Sequence, residues 1–375
     1  MSPNTLPKSK VAVIRTSPQT VVADTARLMD LADMRQELDP KHLTLLKVNI
    51  SWHVYYPACS TSPWQLEGVI RGLLGAGFDA KRILAAQNST VVVDPHVGVR
   101  NNKLEPVLNS FGIKNIWLND KESEADWIPY KPKGKMLVLH DVYPDGLMIP
   151  KTLIGANIVH LPTVKTHVFT ELTGAMKNAF GGLLHLKRHW THSVIHETLV
   201  DLLTIQKEIH PGVFAVMDGT ISGDGPGPRA MRLRVTNLIL ASRDQVAIDA
   251  TSARLMGFDP MTVKFLRLAN DAGLGNADPR NIELVGDDVS NVNLHYARNE
   301  NTLASKGQKL IYHGPLKPLE KMLLQSPIVP WSYAASRAYH DGYWYPFVGK
   351  PRKAEIMKSE WGKLFREGYE PKGVE

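Results

Sequence analysis

The chain of 375 residues contains one cysteine, Cys59. A lone thiol excludes an intrachain disulfide framework. It also excludes an internally ligated iron–sulfur cluster, which needs several thiolates. Long apolar runs are missing too. The longest are four to six residues, against the roughly 20 needed to span a bilayer. The first fifteen residues, MSPNTLPKSKVAVIR, lack the apolar core of a signal peptide, so a cytoplasmic location is expected. No run of five or six basic residues occurs, and no zinc-finger or RNA-binding signature. Nucleic acid is therefore an unexpected partner.

What is present is an ordinary globular composition, 43% hydrophobic and 22% charged, with a mild formal charge of +7. Such a charge suits small anionic molecules or a membrane surface. Short branched runs at 10–14, 43–50, 82–86, 114–118, 135–142, 156–162, 212–219, 236–242 and 281–286 predict strands. Helices are predicted at 61–78, 102–112, 170–186, 192–210, 243–257 and 261–272. The alternation predicts an α/β fold: a mostly parallel sheet with helices on both faces. Residues 1–290 read as one such domain, with a break into lobes near 120–150. The acidic stretch 119–126 reads as a surface loop. Residues 291–375 read as an extended, aromatic and basic C-terminal arm or lid ending in a short helix.

Parallel sheets hold ligands beyond the carboxyl ends of their strands. Three stretches lie there. The first, TVKTHVFTELTGAMKN (163–178), follows the strand NIVHL. If helix starts early, His167, Glu171, Gly174 and Asn178 share a face, with Lys177 on the neighbouring stripe. His167 is the expected acid or base, since its ordinary pKa is nearest neutrality. Lys165 and Lys177 would neutralise or tether an anion, and a desolvated Lys177 could serve as a base. The bland alternative is a solvated face. The second stretch, HLKRHWTHSVIH, spaces His185, His189, His192 and His196 four, three and four apart. One helical face could present them to a metal, with His189 and His192 favoured, although no HExxH pattern is present. The third, MDGTISGDGPGPR (217–229), reads as a glycine-rich loop. Its Gly223 and Gly225 free the backbone for an anion, while Asp218 and Asp224 could hold a hard cation. An ordinary loop is the alternative. Asn49, two residues after Lys47, could contact a ligand or cap the strand end. Asp249 could cap, pair with an arginine, or face the pocket and join His189, His192 and Asp218 as a metal ligand. Cys59 lacks a nearby base and reads as inert.

LPTVKTH, TGAMKNAFGG, MDG with GDGPGP, and ASRDQVAIDATSARLMGFDP together closely resemble the domain-of-unknown-function 362 family. The resemblance runs from about residue 10 to 290 and includes KVNIS and the helix at 61–78. It places Lys165, His167, Lys177, Asn178, Asp218, Gly223, Asp224, Pro226 and Asp249 on the family's motif positions. Some relatives add a cysteine-rich iron–sulfur segment, which this chain lacks. More distantly, His167, Lys177 and then His189 or His192 are similar in order to the nickel-pincer lactate racemases. That likeness implies a lysine-tethered cofactor, a nickel-binding histidine and a proton-moving histidine. The early Asp-x-x-Arg signature of those enzymes is absent. The leading expectation is an enzyme whose polar cleft at the strand carboxyl ends binds a small anionic substrate, with histidine acid–base chemistry of a racemase, epimerase or redox kind and a divalent metal as candidate cofactor. A non-catalytic carrier, attached to a membrane or protein partner through residues 311–375, is the alternative.

Overall fold

A computed structural model describes residues 7–88, 90, 92–118, 126–184, 186–324, 326 and 329–369. The acidic stretch at 119–125 and His185 lie outside these residues. Among the described residues there are twelve strands: β1 (Ser9–Arg15), β2 (Thr44–Val48), β3 (Ile83–Gln87), β4 (Lys114–Trp117), β5 (Trp127–Tyr130), β6 (Leu147–Pro150), β7 (Asn157–Leu161), β8 (Thr163–His167), β9 (Glu171–Leu172), β10 (Val213–Asp224), β11 (Arg232–Ser242) and β12 (Ile282–Gly286). The main sheet runs β12-β1-β11-β10-β7-β2-β3-β4, with β8 on β10 and β9 on β8. Neighbours along the path pair parallel except where β11 meets β1 and β10. β5 and β6 form a separate antiparallel pair.

The period-2 alternation of a strand sorts its side chains between two cores. Val11 and Val13 of β1 enter one core, Ala12 and Ile14 the other. Leu45 and Leu46 of β2 divide likewise, as do Ala215 and Phe214 of β10. Helices Ile195–Ile209 and Gln245–Met256 cover the first face, and Val21–Leu31 and Pro63–Gly75 the second. This is the α/β sheet covered on both faces that the alternating pattern predicts. Local signals set the ends. Ser62 accepts the Gln65 N–H and Pro63 opens its helix, as the sequence suggests. Asp244 caps the helix at 245, and Gly257 ends it in the left-handed region at φ 94°.

Four expectations fail for identifiable reasons. Residues 135–142 are not a strand. Asp201 takes the N–H groups of Leu137, Val138 and Leu139, and Leu139–Val142 forms a single helical turn. Residues 170–186 are not one helix. β9 occupies the start, and only Ala175–Asn178 and Phe180–Leu183 are helical, with Gly181 and Gly182 out of helical geometry. His167 therefore lies on β8 and shares no helical face with Asn178. Residues 217–224 are not a loop, because β10 continues to Asp224 and pairs with β11 as far as Arg232. The C-terminal segment is largely helical rather than extended. Its Trp344, Trp361, Phe365 and Tyr369 are buried in the second core.

Candidate functional site: a buried cluster of lysines

β7 ends at Leu161, and the chain continues past Pro162 as β8 along the outer half of β10. Thr163 pairs with Asp218, and Lys165 with Gly223. Lys165 and His167 thus stand beyond the carboxyl ends of β7 and β2, where an α/β sheet presents its ligands. The segment 175–178 is pinned beside them. Asn178 donates its amide to the Lys47 carbonyl at 2.7 Å, and Asp249 accepts the N–H groups of Ala175 and Met176 at 2.6 and 3.0 Å. Gly174, at φ 111°, is needed here because a Cβ would run into the Asp249 carboxylate.

The side chains brought together are mostly cationic. Lys47 and Lys165 are buried, and Lys177 is partly buried with its ammonium 5.4 Å from the Phe180 ring. Arg188 lies 6.0 Å from the same ring, and His192 meets it edge-on at 5.6 Å. His167 and His192 both approach Phe169. Desolvation pushes Lys47 and Lys165 down to about 7, and Lys177 to about 8, with Arg188 adding to the shifts of Lys47 and Lys177. His192 falls to about 3, from desolvation and then Lys177. His167 falls well below its ordinary value, from desolvation and then Lys177. The charges acting on the three lysines come from Arg188, Cys59 and Lys177. No carboxylate of the described residues is among them.

His167 is neutral in this setting, and its Nδ1 faces the backbone N–H groups of Phe169 and Thr170 at 3.1 and 3.4 Å. An Nδ1 that accepts puts the ring proton on Nε2 by assignment from the network. Lys165 donates to the Cys59 carbonyl and to Thr163 Oγ1, and Lys47 to the Val48 carbonyl. An ammonium has three donors, so each keeps capacity for a ligand.

The remaining candidates have their contacts within the chain itself. Asp218 accepts from Ser62 Oγ, Trp64 Nε1 and the Thr220 N–H. Asp224 holds Arg232, Arg234 and the Ala297 N–H. Gly223 leaves room for Met231, and Gly225, at φ 104°, turns the chain beside Arg232. Asn49 bonds the Cys59 carbonyl and Ser51, as a strand-end amide. Cys59 is buried with its thiol pushed up to about 11. His189 faces the Leu324 carbonyl at 3.1 Å. The proposed metal ligands His189, His192, Asp218 and Asp249 do not meet as one set. Among the described residues, no three His, Cys, Asp or Glu side chains converge as a metal would require.

Sequence reasoning undervalued Lys47 and passed over Arg188, Phe180 and His160. Lys47 is a lone ammonium inside the apolar run TLLKV, and that oddity is the signal that could have found it. His160, fully buried, bridges Gln206 at 2.6 Å and Asn178.

The family model described as a domain of unknown function, DUF362, matches residues 44–254. The chain belongs to the DUF362 family. That span carries Lys47, Lys165, His167, Lys177 and Arg188, so the lysine cluster of this DUF362 chain falls wholly within the matched region. The chain is also similar to the thylakoid-associated protein sll1697 of Synechocystis sp., 28% identical over 136 residues. That match covers 34% of this chain and 41% of the relative. No helix among the described residues is long and apolar enough to cross a membrane.

Proposed function

We propose that the lysine cluster binds a small anionic substrate and exchanges a proton with it. One observation carries this reading: Lys47, Lys165 and Lys177 are all desolvated, Lys177 acts on Lys165 and Arg188 on the other two, and no carboxylate of the described residues acts on any of the three. Buried charge is costly unless it is compensated. These ammonium groups meet the cost by shedding protons near neutral pH, and an anion would compensate them instead. His167, with its proton on Nε2, is a hydrogen-bond donor to that anion and a poor base. The proton-exchanging group is then Lys177, whose pKa of about 8 lies near neutrality. The reaction class fitting these parts is proton transfer on a small carboxylate or phosphate, as in a racemase or epimerase.

Binding an anion raises the lysine pKa values, so binding takes up protons. Affinity is then greatest below about 7 and falls as pH rises through 7 and 8. Thermal shift and titration calorimetry with phosphate, sulfate and small carboxylates test this. An anion that stabilises the native chain, with proton uptake and an affinity that drops on raising the pH, supports the reading. Equal responses from the native chain and from Lys165→Met and Lys177→Met would overturn it.

A second reading concerns attachment. The relative named as thylakoid-associated favours a peripheral membrane role, carried by residues 311–375. Flotation of the chain with vesicles of a total lipid extract tests it, and a chain that stays at the bottom of the gradient would refute it.

A further inference from the structure

Large apolar side chains left in water are concentrated in one segment. Among the described residues thirteen are exposed, and eight of them lie between 303 and 347: Leu303, Leu310, Leu316, Leu319, Met322, Trp331, Tyr343 and Phe347. Leu303 is 74% exposed, Phe347 71% and Tyr343 56%. Such a concentration of exposed apolar side chains in one segment points to an interaction surface. The segment is not loosely attached. Pro330–Arg337, Ala338–Gly349 and Lys350–Ile356 follow one another without a break in helical geometry. The inner side of this rod buries Trp344 against Trp52 and Tyr56, and Arg352 donates to the Met231 carbonyl. From Tyr339, half-buried against the second core, an i, i+4 ladder runs outward through the exposed Tyr343 and Phe347, with ring centroids 6.0 and 5.8 Å apart.

Charge decides what covers this surface. Residues 303–353 hold eight lysines and arginines against two acidic residues, a net +6 beside +7 for the whole chain. Both acidic side chains turn inward. Glu320 is buried and paired with Lys317, and Asp341 accepts from Trp52 Nε1 at 2.8 Å and lies near His53. Lys306, Lys321, Arg337 and Lys350 are exposed among the apolar residues. Protein interfaces deplete lysine at their centres, whereas surfaces that lie on bilayers combine aromatics with lysine and arginine.

We propose that the outer face of residues 303–324 and 329–350 docks on an anionic lipid bilayer. The inference rests on the membrane reading above and names its lipid chemistry and its contact residues. The inner face of the same segment covers the histidine side of the site. Tyr312 stacks on His192 at 6.0 Å, and Lys309 acts on His167. Docking therefore sets that side of the site against the bilayer, where anionic amphiphiles are most concentrated.

The test is flotation of the full chain with two vesicle types, phosphatidylcholine alone and phosphatidylcholine mixed with phosphatidylglycerol. Binding to the mixed vesicles alone, lost in high salt, is the expected result. Each reversal among Lys306→Glu, Lys321→Glu and Arg337→Glu lowers partitioning by roughly fivefold or more. Trp331→Ser with Phe347→Ser abolishes the bound fraction while leaving the circular dichroism unchanged. Equal binding to both vesicles would overturn the anionic inference and leave the membrane reading standing. Binding to neither would overturn both. Binding that survives all these substitutions would overturn the assignment to this face, and a protein receptor needed for flotation would replace lipid as the partner.

Discussion

Asp218, Asp224 and Asp249 are buried carboxylates; Lys47 and Lys165 are buried ammonium groups, with Lys177 beside them. The two sets are treated differently. Every carboxylate is met by amides, hydroxyls or guanidinium groups of the chain itself. The lysines meet one or two carbonyls and hydroxyls or an aromatic ring. A buried polar group whose partners are all internal is part of the scaffold. A buried charge without a counter-charge is an unfinished interaction, and a ligand of opposite sign completes it. The contrast separates framework from site more sharply than residue type does, since aspartates and lysines were equal candidates by sequence.

The largest expected effect breaks the carboxylate side. Asp249→Ala leaves the Ala175 and Met176 N–H groups buried without an acceptor, which costs about 3 kcal/mol. Burial pushes Asp249 up to about 8 against the lowering by those amides, so it is largely protonated in the folded chain near neutrality. Denaturant unfolding should show the loss. Anion-induced stabilisation should weaken as well, because the segment bearing Lys177 loses its anchor.

The opposite sign is expected on the lysine side. Lys165→Met replaces a desolvated ammonium by an apolar chain of similar length, and should stabilise the anion-free chain by about 1 kcal/mol. The same substitution should remove the thermal shift produced by phosphate. A destabilised Lys165→Met chain would mean that the bonds to Cys59 and Thr163 outweigh desolvation, and the lysine would join the framework.

A pH series sharpens the comparison further. Lys47 and Lys165 fall from 10.5 to about 7 on folding, so the unfolded chain binds more protons above 7. Stability then rises as pH climbs from about 7 toward 10. Asp249, raised from 3.8 to about 8, acts in the other window, with its contribution falling as pH rises from about 4 to 8. Saturating phosphate should flatten the upper limb and leave the lower one in place. A chain whose upper limb is unchanged by every anion would place the lysines outside any binding site.

The strands and long helices were legible because one local pattern decides each of them. Val11 to Ile14 alternate between two cores, and Ser62-Pro63 starts a helix whatever lies beyond. The failures arise where a distant side chain supplies the missing partners. KMLVLHDV has the composition of a strand, yet Asp201 takes the N–H groups a neighbouring strand would have taken. MDGTISGDG has the glycines of a loop, yet its pairing with β11 keeps it extended. At the site, Lys165, His167 and Lys177 were legible as polar residues following a core strand. The helical face drawn through His167 was not, because Gly174, Gly181 and Gly182 divide the segment into short turns. Lys47 and Arg188 come from elements far apart in sequence, and spacing alone does not join them.

Asn49 provides the smallest expected effect and the narrowest test. It lies beside Lys47 in sequence, and its amide donates to the Cys59 carbonyl at 3.3 Å, the same oxygen that accepts from Lys165 at 2.7 Å. As a framework residue, Asn49→Ala should cost about 1 kcal/mol and leave the phosphate response intact. The Cys59 carbonyl retains its bond to Lys165 in that variant, so the ammonium stays in place. If the phosphate response falls with Asn49→Ala while stability holds, the amide contacts the anion directly, and the boundary between framework and site moves to include the end of β2.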